Sequence, residues 1–369
     1  VSTFTRSAPL AAIGPDTFEH EQVVLCQDPA SNLKVIIAIH STALGPALGG
    51  TRFRAYPSDE EAVKDALDLS RGMSYKNAMA GLAFGGGKAV IVGDPVRGKS
   101  EELLLAFGRC VAALGGRFIT GPDLGTDIPD MEVAARVCRW TVALSREGGD
   151  AGDTSGFTAQ GLIHAMRAAA RYRWGSTSLQ GRVVGVAGLG KVGRRLVRLL
   201  VQEGAKVIVA DVRAEPVRRV VKEFPQAIAV EDPEALIRFD GMDVYAPCAV
   251  GGVLDTAVAS ALTAEVICGA ANNQLAHPDV ERRFASRGML YLPDYVVNAG
   301  GAIRAAGETL GYSLRESADK VEQIFDTTLQ VLEHAESAGI LPGEAADRTA
   351  RRRITAAAED QARGLADHT

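Results

Sequence analysis

Apolar positions along this chain change period several times, and each change marks a change of element. Gln22-Val-Val-Leu-Cys26 and Leu33-Lys-Val-Ile-Ile-Ala-Ile-His40 are short runs rich in β-branched residues and predict strands. Gly45-Pro-Ala-Leu48-Gly49-Gly50-Thr-Arg52 reads as a glycine-rich loop. Ser58-Asp-Glu-Glu61 has the capping-box pattern and opens a helix that runs to about Arg71. A strand near Lys88–Val92 stops at Gly93-Asp94-Pro95, and Ser100-Glu-Glu starts a helix reaching roughly Leu114. Arg117–Thr120 predicts a short strand leading into Gly121-Pro122-Asp123, and a further helix covers about Pro129 to Leu144.

Gly148-Gly149-Asp-Ala-Gly152-Asp-Thr-Ser-Gly156 is dense in glycine and predicts a hinge at a domain boundary. A helix follows from Thr158 to about Tyr172. Strand and helix then alternate through Val183–Ala187, Val192–Glu203, Lys206–Ala210, Val217–Phe224, Ala227–Val230, Val244–Ala246, Val266–Cys268 and Leu290–Leu292. This alternation predicts an α/β fold with a doubly wound parallel sheet. The last fifty residues read as helical, with Val321, Ile324, Phe325, Leu329 and Leu332 marking an amphipathic face.

At 369 residues the chain is long enough for two domains, each with its own core. Its 47% apolar and 23% charged residues are an ordinary globular balance, and a net charge of −5 leaves no basic footprint for nucleic acid. Cys26, Cys110, Cys138, Cys248 and Cys268 are odd in number and scattered, which argues for a reducing compartment and against a disulfide framework or structural zinc. The histidines form no metal-ligand spacing, so no metal is expected. The amino-terminal stretch Val1–Arg6 lacks the pattern of a signal peptide, with Pro9 and Pro15 interrupting its apolar run, and no stretch of eighteen apolar residues occurs. A cytoplasmic protein with no membrane or nucleic-acid partner is expected.

Lys76 and Lys88 stand in Gly72-Met-Ser-Tyr-Lys76-Asn-Ala-Met-Ala-Gly-Leu-Ala-Phe-Gly85-Gly86-Gly87-Lys88. Three glycines before Lys88 would let a ligand approach the backbone. A poorly solvated lysine beside other cations gives up its proton more readily, which suits it to proton transfer. Taken alone, both lysines read as solvated surface residues. A second motif about a hundred residues on changes that reading.

Arg182-Val-Val-Gly-Val-Ala-Gly188-Leu-Gly190-Lys-Val-Gly193 is a strand running into Gly-x-Gly-x-x-Gly and then a helix. Gly188 allows the tight turn, Gly190 the approach of a pyrophosphate, and Gly193 the close packing of helix on strand. The next strand ends in Asp211, eighteen residues past Gly193, where an acceptor for a ribose 2′-OH is needed. A carboxylate there repels a 2′-phosphate, which favours NAD over NADP, while Arg213 reads as a solvated loop charge.

With these motifs, and with Leu48-Gly-Gly-Thr-Arg52, Met73-Ser-Tyr-Lys76-Asn, Gly121-Pro-Asp123, Gly269-Ala-Ala-Asn-Asn273 and Pro293-Asp-Tyr-Val-Val-Asn298-Ala-Gly-Gly301, the chain resembles the glutamate/leucine/phenylalanine/valine dehydrogenase family from about Glu21 to past Thr328. The resemblance is strongest to the leucine, valine and phenylalanine branch. It implies reversible oxidative deamination of an L-2-amino acid with NAD by a homo-oligomeric enzyme. It also implies an N-terminal α/β domain for substrate binding and self-association (1–147) and a Rossmann domain (148–325), with the active site in the cleft between them. C-terminal helices (326–369) would return toward the first domain. By the same resemblance, Lys76 holds the substrate carboxylate with Asn272, Lys88 activates water, and Asp123 moves protons to and from nitrogen. Gly49, Gly50, Leu48 and Met73 would border the substrate, and Thr158 and Asn298 the nicotinamide amide.

Glutamate-specific relatives carry a lysine where this chain has Leu48, so the resemblance implies an apolar substrate side chain. A buried apolar residue facing a carboxylate would leave that charge unpaired. Gly121, Ala302 and Ala305 stand at the expected pocket positions and are small, which favours a large or aromatic side chain such as phenylalanine over a branched one such as valine or leucine. A catalytically silent NAD-binding regulator would be expected to lack Lys88 or Asp123, and both are present.

Overall fold

The computed structural model describes residues 19–142 and 154–366. The amino-terminal stretch through Pro15, the end expected for a helix near Leu144, and 148–153 of the expected hinge lie outside the described residues. The chain divides into two compact units, one of 19–142, 305–312 and 350–366, the other of 154–304 and 313–349.

The first unit is built on five strands, β1 (Gln22–Asp28), β2 (Leu33–Ser41), β3 (Ala47–Arg54), β4 (Gly85–Val92) and β5 (Phe118–Pro122), in the order β1-β2-β4-β3-β5. β2 pairs antiparallel with β1 and β4, and β3 lies parallel between β4 and β5. Its helices are α1 (Asp59–Met79), α2 (Glu101–Ala112) and α3 (Ile128–Ala135). Val35, Ile37 and Ile39 of β2 join Phe53, Ala89 and Ile91 in one core with Leu103 and Phe107 of α2 and Met131 of α3. The intervening Ile36, Ala38 and Val90 face the other way and pack on Ala62, Ala66 and Leu67 of α1. A sheet covered on both faces reads in sequence as a near-continuous apolar run.

Three segments differ from the sequence expectation. The stretch 45–52, expected as a loop, contains most of β3; its glycines lack the side chains that show a period of two, yet a strand on either side satisfies its backbone. The helix expected to stop near Arg71 continues through Gly72 to Met79. A glycine inside a helix costs only about 1 kcal/mol, and the last turns are held by Asn77, whose Nδ2 donates to Gly85 O at 2.5 Å and to Leu48 O at 3.3 Å. The helix expected over 129–144 ends at Ala135, because the chain turns back along β5. There the Thr120 N–H donates to Trp140 O and the Val142 N–H to Thr120 O, satisfying the edge of the sheet.

The second unit holds six parallel strands, β6 (Val183–Ala187), β7 (Lys206–Ala210), β8 (Ile228–Ala229), β9 (Val244–Pro247), β10 (Val266–Ile267) and β11 (Leu290–Tyr291), in the order β11-β10-β9-β6-β7-β8. The order reverses at β6, which is the doubly wound arrangement that places a ligand crevice beyond the strand ends. α4 (Ser155–Trp174) precedes the sheet, α5 (Lys191–Gln202), α6 (Ala214–Glu223), α7 (Pro233–Ile237), α8 (Thr256–Ala261) and α9 (Asp279–Ser286) run between its strands, and α10 (Asp294–Val297) follows the last of them. The chain closes with α11 (Gly300–Leu310), α12 (Leu314–Glu322), α13 (Ile324–Ala338) and α14 (Pro342–Ala366).

The boundary expected at 325/326 falls inside α13, which packs on α4 within the second unit. From residue 350 onward α14 belongs to the first unit. There Arg353 Nη1 donates to Ala78 O at 2.8 Å and Met79 O at 3.2 Å, satisfying carbonyls at the end of α1, and Arg351 Nε donates to the Tyr75 hydroxyl at 2.8 Å.

The start of α14 rests on a buried acid. Glu281 of α9 accepts the Gly343 N–H at 2.8 Å. Burial, opposed by that N–H and reinforced by Asp347 and Glu344, pushes its carboxyl up to about 7. An acid whose folded pKa exceeds its unfolded value stabilises the fold below the unfolded value, and that contribution is lost as pH rises through the folded one. Glu281→Gln is therefore expected to stabilise the protein at pH 8 by up to about 3 kcal/mol, and by much less at pH 5. Thermal melts of both proteins at the two pH values check this.

Candidate active site

Lys88 lies on β4 and is 4% exposed. The room left by the glycines before it is taken up by the protein itself. A Cβ on Gly86 would stand 2.0 Å from the backbone nitrogen of Ser74 in α1, and one on Gly85 1.9 Å from Ser41 O. The triplet thus serves the close approach of α1 to β4, not the approach of a ligand that the sequence suggested. The neighbour of the Lys88 ammonium is a carboxylate instead of a second cation: Nζ lies 2.8 Å from Oδ2 of Asp123, the residue that follows β5.

β3 runs between β4 and β5, and Gly50 keeps the gap open. A Cβ on Gly50 would stand 2.9 Å from Asp123 Cβ and 3.4 Å from Lys88 Nζ. The backbone of Asp123 is fixed by Thr126, whose hydroxyl accepts the Asp123 N–H at 2.9 Å and donates to Thr51 O at 2.7 Å. Burial opposes ionisation of Asp123, but Lys88 and Arg52 outweigh it and hold its carboxyl well below the usual carboxylate range.

Arg52, Asp65 and Tyr56 complete this cluster, and none has a role in the sequence reading. Arg52 Nε lies 3.2 Å from Asp123 Oδ2, its Nη1 donates to both Asp65 oxygens at 3.1 and 2.9 Å, and the Tyr56 hydroxyl donates to Asp65 Oδ2 at 2.5 Å. The available signal was spacing: Arg52 stands two residues past Gly50, hence on the same face once the segment is recognised as a strand.

The remaining expected residues of the first unit gather on β3, β5 and α1. Met73 Cγ would stand 3.4 Å from a Cβ on Gly49, and Lys76, one turn further along α1, is 9% exposed. Leu48 is buried on β3, and Gly121 on β5 has the side chain of Val142 3.2 Å from where its Cβ would be. Ala302 and Ala305, both half-buried, stand three residues apart on α11.

In the second unit, β6 runs into Gly188 at φ +99°, whose N–H donates to Ala210 O at 2.8 Å. A Cβ on Gly193 would stand 1.9 Å from Gly188 O, so α5 starts directly against the glycine turn. Nothing lies within 4 Å of a Cβ on Gly190, so there is open room at the first N–H groups of α5. Asp211 follows β7 and is held by the N–H of Leu189 at 2.8 Å and of Arg213 at 3.0 Å; the Arg213 side chain is mostly exposed, its Nε 3.7 Å from Asp211 Oδ1. An open helix N-terminus behind a glycine turn, with a carboxylate at the next strand end, fits the diphosphate and ribose of a dinucleotide. Asn298 Nδ2 donates to Asn272 Oδ1 at 2.9 Å and Ala270 O at 3.0 Å, while its buried Oδ1 has no hydrogen-bond partner and suits a carboxamide donor. The Thr158 hydroxyl donates to Thr154 O at 3.2 Å. Among the described residues no three His, Cys, Asp or Glu side chains group as a metal site, and no helix is long and apolar enough to cross a membrane.

Two family models match this chain. The model of the Glu/Leu/Phe/Val dehydrogenase dimerisation domain matches residues 20–141, and that of the Glutamate/Leucine/Phenylalanine/Valine dehydrogenase domain matches 209–362. A valine dehydrogenase of Streptomyces virginiae is 60% identical over 336 residues, covering 91% of this chain and 94% of its own. A leucine dehydrogenase of Geobacillus stearothermophilus is 47% identical over 92% of both chains. Among solved structures, the L-tryptophan dehydrogenase from Nostoc punctiforme superimposes with a TM-score of 0.78 at 40% identity, covering 92% of this chain and 96% of that one.

The glycine turn generates a paired expectation. Gly190→Ala should fold as wild type, since its added methyl meets nothing, yet weaken dinucleotide binding by about tenfold because the methyl enters the room the diphosphate needs. Gly193→Ala should lose about 1–3 kcal/mol of stability or fail to accumulate, because its methyl collides with backbone. Thermal melts combined with titration of the reduced dinucleotide's fluorescence separate the two outcomes.

Proposed function

The chain belongs to the glutamate/leucine/phenylalanine/valine dehydrogenase family and is an amino acid dehydrogenase; from that premise we propose that it oxidatively deaminates branched-chain L-amino acids, valine and leucine foremost, with NAD, by means of Lys88 and Asp123. The observation that carries the chemistry is the buried Lys88–Asp123 pair at 2.8 Å, an acid and a base within one hydrogen bond of each other. Oxidation of the amine needs a base for its nitrogen proton, and hydrolysis of the resulting imine needs a water made nucleophilic at neutral pH. Asp123 takes the proton from nitrogen and returns one to the departing ammonia. Lys88 holds the attacking water, accepts its proton and then supports the oxygen of the carbinolamine as it collapses to the 2-oxo acid. Lys76 with Asn272 holds the substrate carboxylate, and the backbone at Gly49 and Gly50 borders the amino group.

Bound NAD would supply the acceptor for the hydride leaving Cα in oxidation and, once reduced, the donor in reductive amination. The N–H groups behind Gly188, Gly190 and Gly193 would hold its diphosphate, Asp211 its ribose, and Thr158 and Asn298 its carboxamide. A 2′-phosphate beside Asp211 would set two anions together, which disfavours NADP. The family's dimerisation domain over 20–141 supports a self-associating protein, and small, water-soluble substrates favour a cytoplasmic location.

Leu48 excludes a charged substrate side chain, since burying a carboxylate against it would cost several kcal/mol. The valine and leucine dehydrogenases among the relatives support a branched side chain. An aromatic side chain is the second reading, favoured by the small residues Gly121, Ala302 and Ala305 and by the likeness to a tryptophan dehydrogenase.

Reductive amination measured with ammonia, NADH and a panel of 2-oxo acids decides between them. 2-Oxoisovalerate and 4-methyl-2-oxopentanoate are expected to exceed phenylpyruvate in kcat/KM. Faster turnover of phenylpyruvate would transfer the assignment to aromatic substrates, and NADP equal to NAD would remove Asp211 from cofactor choice. Lys88→Ala is expected to lower kcat by about 10²-fold or more while dinucleotide binding and Tm persist. A variant keeping more than about a tenth of wild-type kcat would take Lys88 out of the mechanism.

A further inference from the structure

We propose that Arg52 is a positioning residue for the reaction: anchored by Asp65 and Tyr56, its guanidinium holds the Asp123 carboxylate in the orientation and charge state from which it exchanges protons with the substrate nitrogen. The inference rests on the reading of Asp123 as the proton-transfer group and adds to it a supporting chain from two further elements.

Geometry carries the assignment. One oxygen of Asp123, Oδ2, receives both cations, Lys88 Nζ at 2.8 Å and Arg52 Nε at 3.2 Å. Neither cation contact uses Oδ1. An ammonium alone is a compact point charge on a flexible stem, whereas a guanidinium that is itself fixed donates to Oδ2 from a set direction, so two cations converging on one oxygen restrain the carboxylate more than Lys88 alone. Arg52 is fixed: the far side of its fork donates to both oxygens of Asp65 on α1, and Asp65 in turn accepts the Tyr56 hydroxyl. The side chain of Arg52 is 13% exposed and those of Asp65 and Asp123 22% and 19%, so solvent screens these contacts weakly. Burial disfavours the Arg52 charge, but Asp123 and Asp65 outweigh it and strengthen its hold on its proton, so the guanidinium does not itself exchange protons. Two cations and two carboxylates balance, which lets Asp123 remain charged in a partly dry site between turnovers. When the substrate ammonium arrives, a carboxylate already oriented has no rotational search to make before it accepts the proton.

A structural contribution alone would lower stability without regard to Asp123, so a double-mutant cycle distinguishes the two roles. Four proteins are compared for kcat, KM, Tm and dinucleotide binding: wild type, Arg52→Gln, Asp123→Asn and the double variant. Arg52→Gln is expected to lower kcat by about 10- to 100-fold with KM within about threefold. In the Asp123→Asn background the same substitution should change kcat by less than about twofold, because the group it serves is already lost. The proposal is overturned if Arg52→Gln keeps kcat near wild type, or if its effect is undiminished in the Asp123→Asn background. Should Asp123→Asn itself turn over normally, the underlying assignment of Asp123 fails and that of Arg52 with it. If Arg52→Gln does not fold, the cycle is run with Asp65→Asn, which leaves Arg52 present but unanchored. A loss in kcat that disappears beside Asp123→Asn supports the proposal, and wild-type kcat overturns it.

Discussion

Lys88 and Asp123 meet across a strand that stands between them. Their strands, β4 and β5, flank β3, so two strand spacings of about 4.8 Å each separate the backbones. The long lysine side chain covers that distance only because the intervening position is Gly50; a methyl group there would stand 2.9 Å from Asp123 Cβ. The site therefore depends on a sheet order that no stretch of local sequence encodes. It also depends on α1 lying so close to β4 that Gly86 leaves no room for a side chain against Ser74. The same approach lets Asn77 tie the end of the helix to Gly85 and Leu48, and with it the turn that carries Lys76.

Burying charge in this way is unfavourable unless each charge has a partner. Removing an ion from water costs several kcal/mol, and a buried pair recovers that cost only with good geometry and further hydrogen bonds. Around Asp123 the condition is met by Lys88, Arg52 and the N–H of Leu124, and around Asp65 by Arg52 and Tyr56. Such a network contributes less to stability than an apolar core of the same volume. What it provides is a carboxylate with a fixed orientation and a fixed charge, which a proton-transfer site needs and an apolar core cannot supply.

The two units present different chemistry to a ligand. In the second unit the contacts offered to a ligand come largely from backbone: a turn at Gly188, exposed N–H groups at the start of α5, and a carboxylate held in place by the N–H groups of Leu189 and Arg213. In the first unit they come from side chains on β3, β4, β5 and α1. Backbone cradles tolerate change in most neighbouring side chains provided the glycines stay, whereas a side-chain site tolerates change almost nowhere among the residues that touch. The sequence signals are unequal for the same reason. A glycine turn leaves a short contiguous motif, while Arg52, Asp65 and Tyr56 are scattered and individually unremarkable.

By itself the sequence determined the class of fold, the alternation of strands and helices after residue 180, the glycine turn with a carboxylate at the next strand end, and the family whose motifs surround Lys76, Lys88 and Asp123. These are legible because each rests on spacing within a few residues: periodicity for elements, Gly-x-Gly-x-x-Gly for the turn, short motifs for the lysines and the aspartate. The extension of α1 past Gly72, the strand hidden in 47–54 and the early end of α3 were decided only by tertiary structure. In each case a local preference was weak and a distant contact strong. Gly72 barely opposes a helix that Asn77 fastens to β4, Gly49 and Gly50 show no alternation yet lie between two paired strands, and residues 140–142 satisfy the edge of β5 instead of prolonging a helix. Arg52 belongs to the same group: only once β3 exists does its side chain share a face with Gly50 and reach both Asp123 and Asp65.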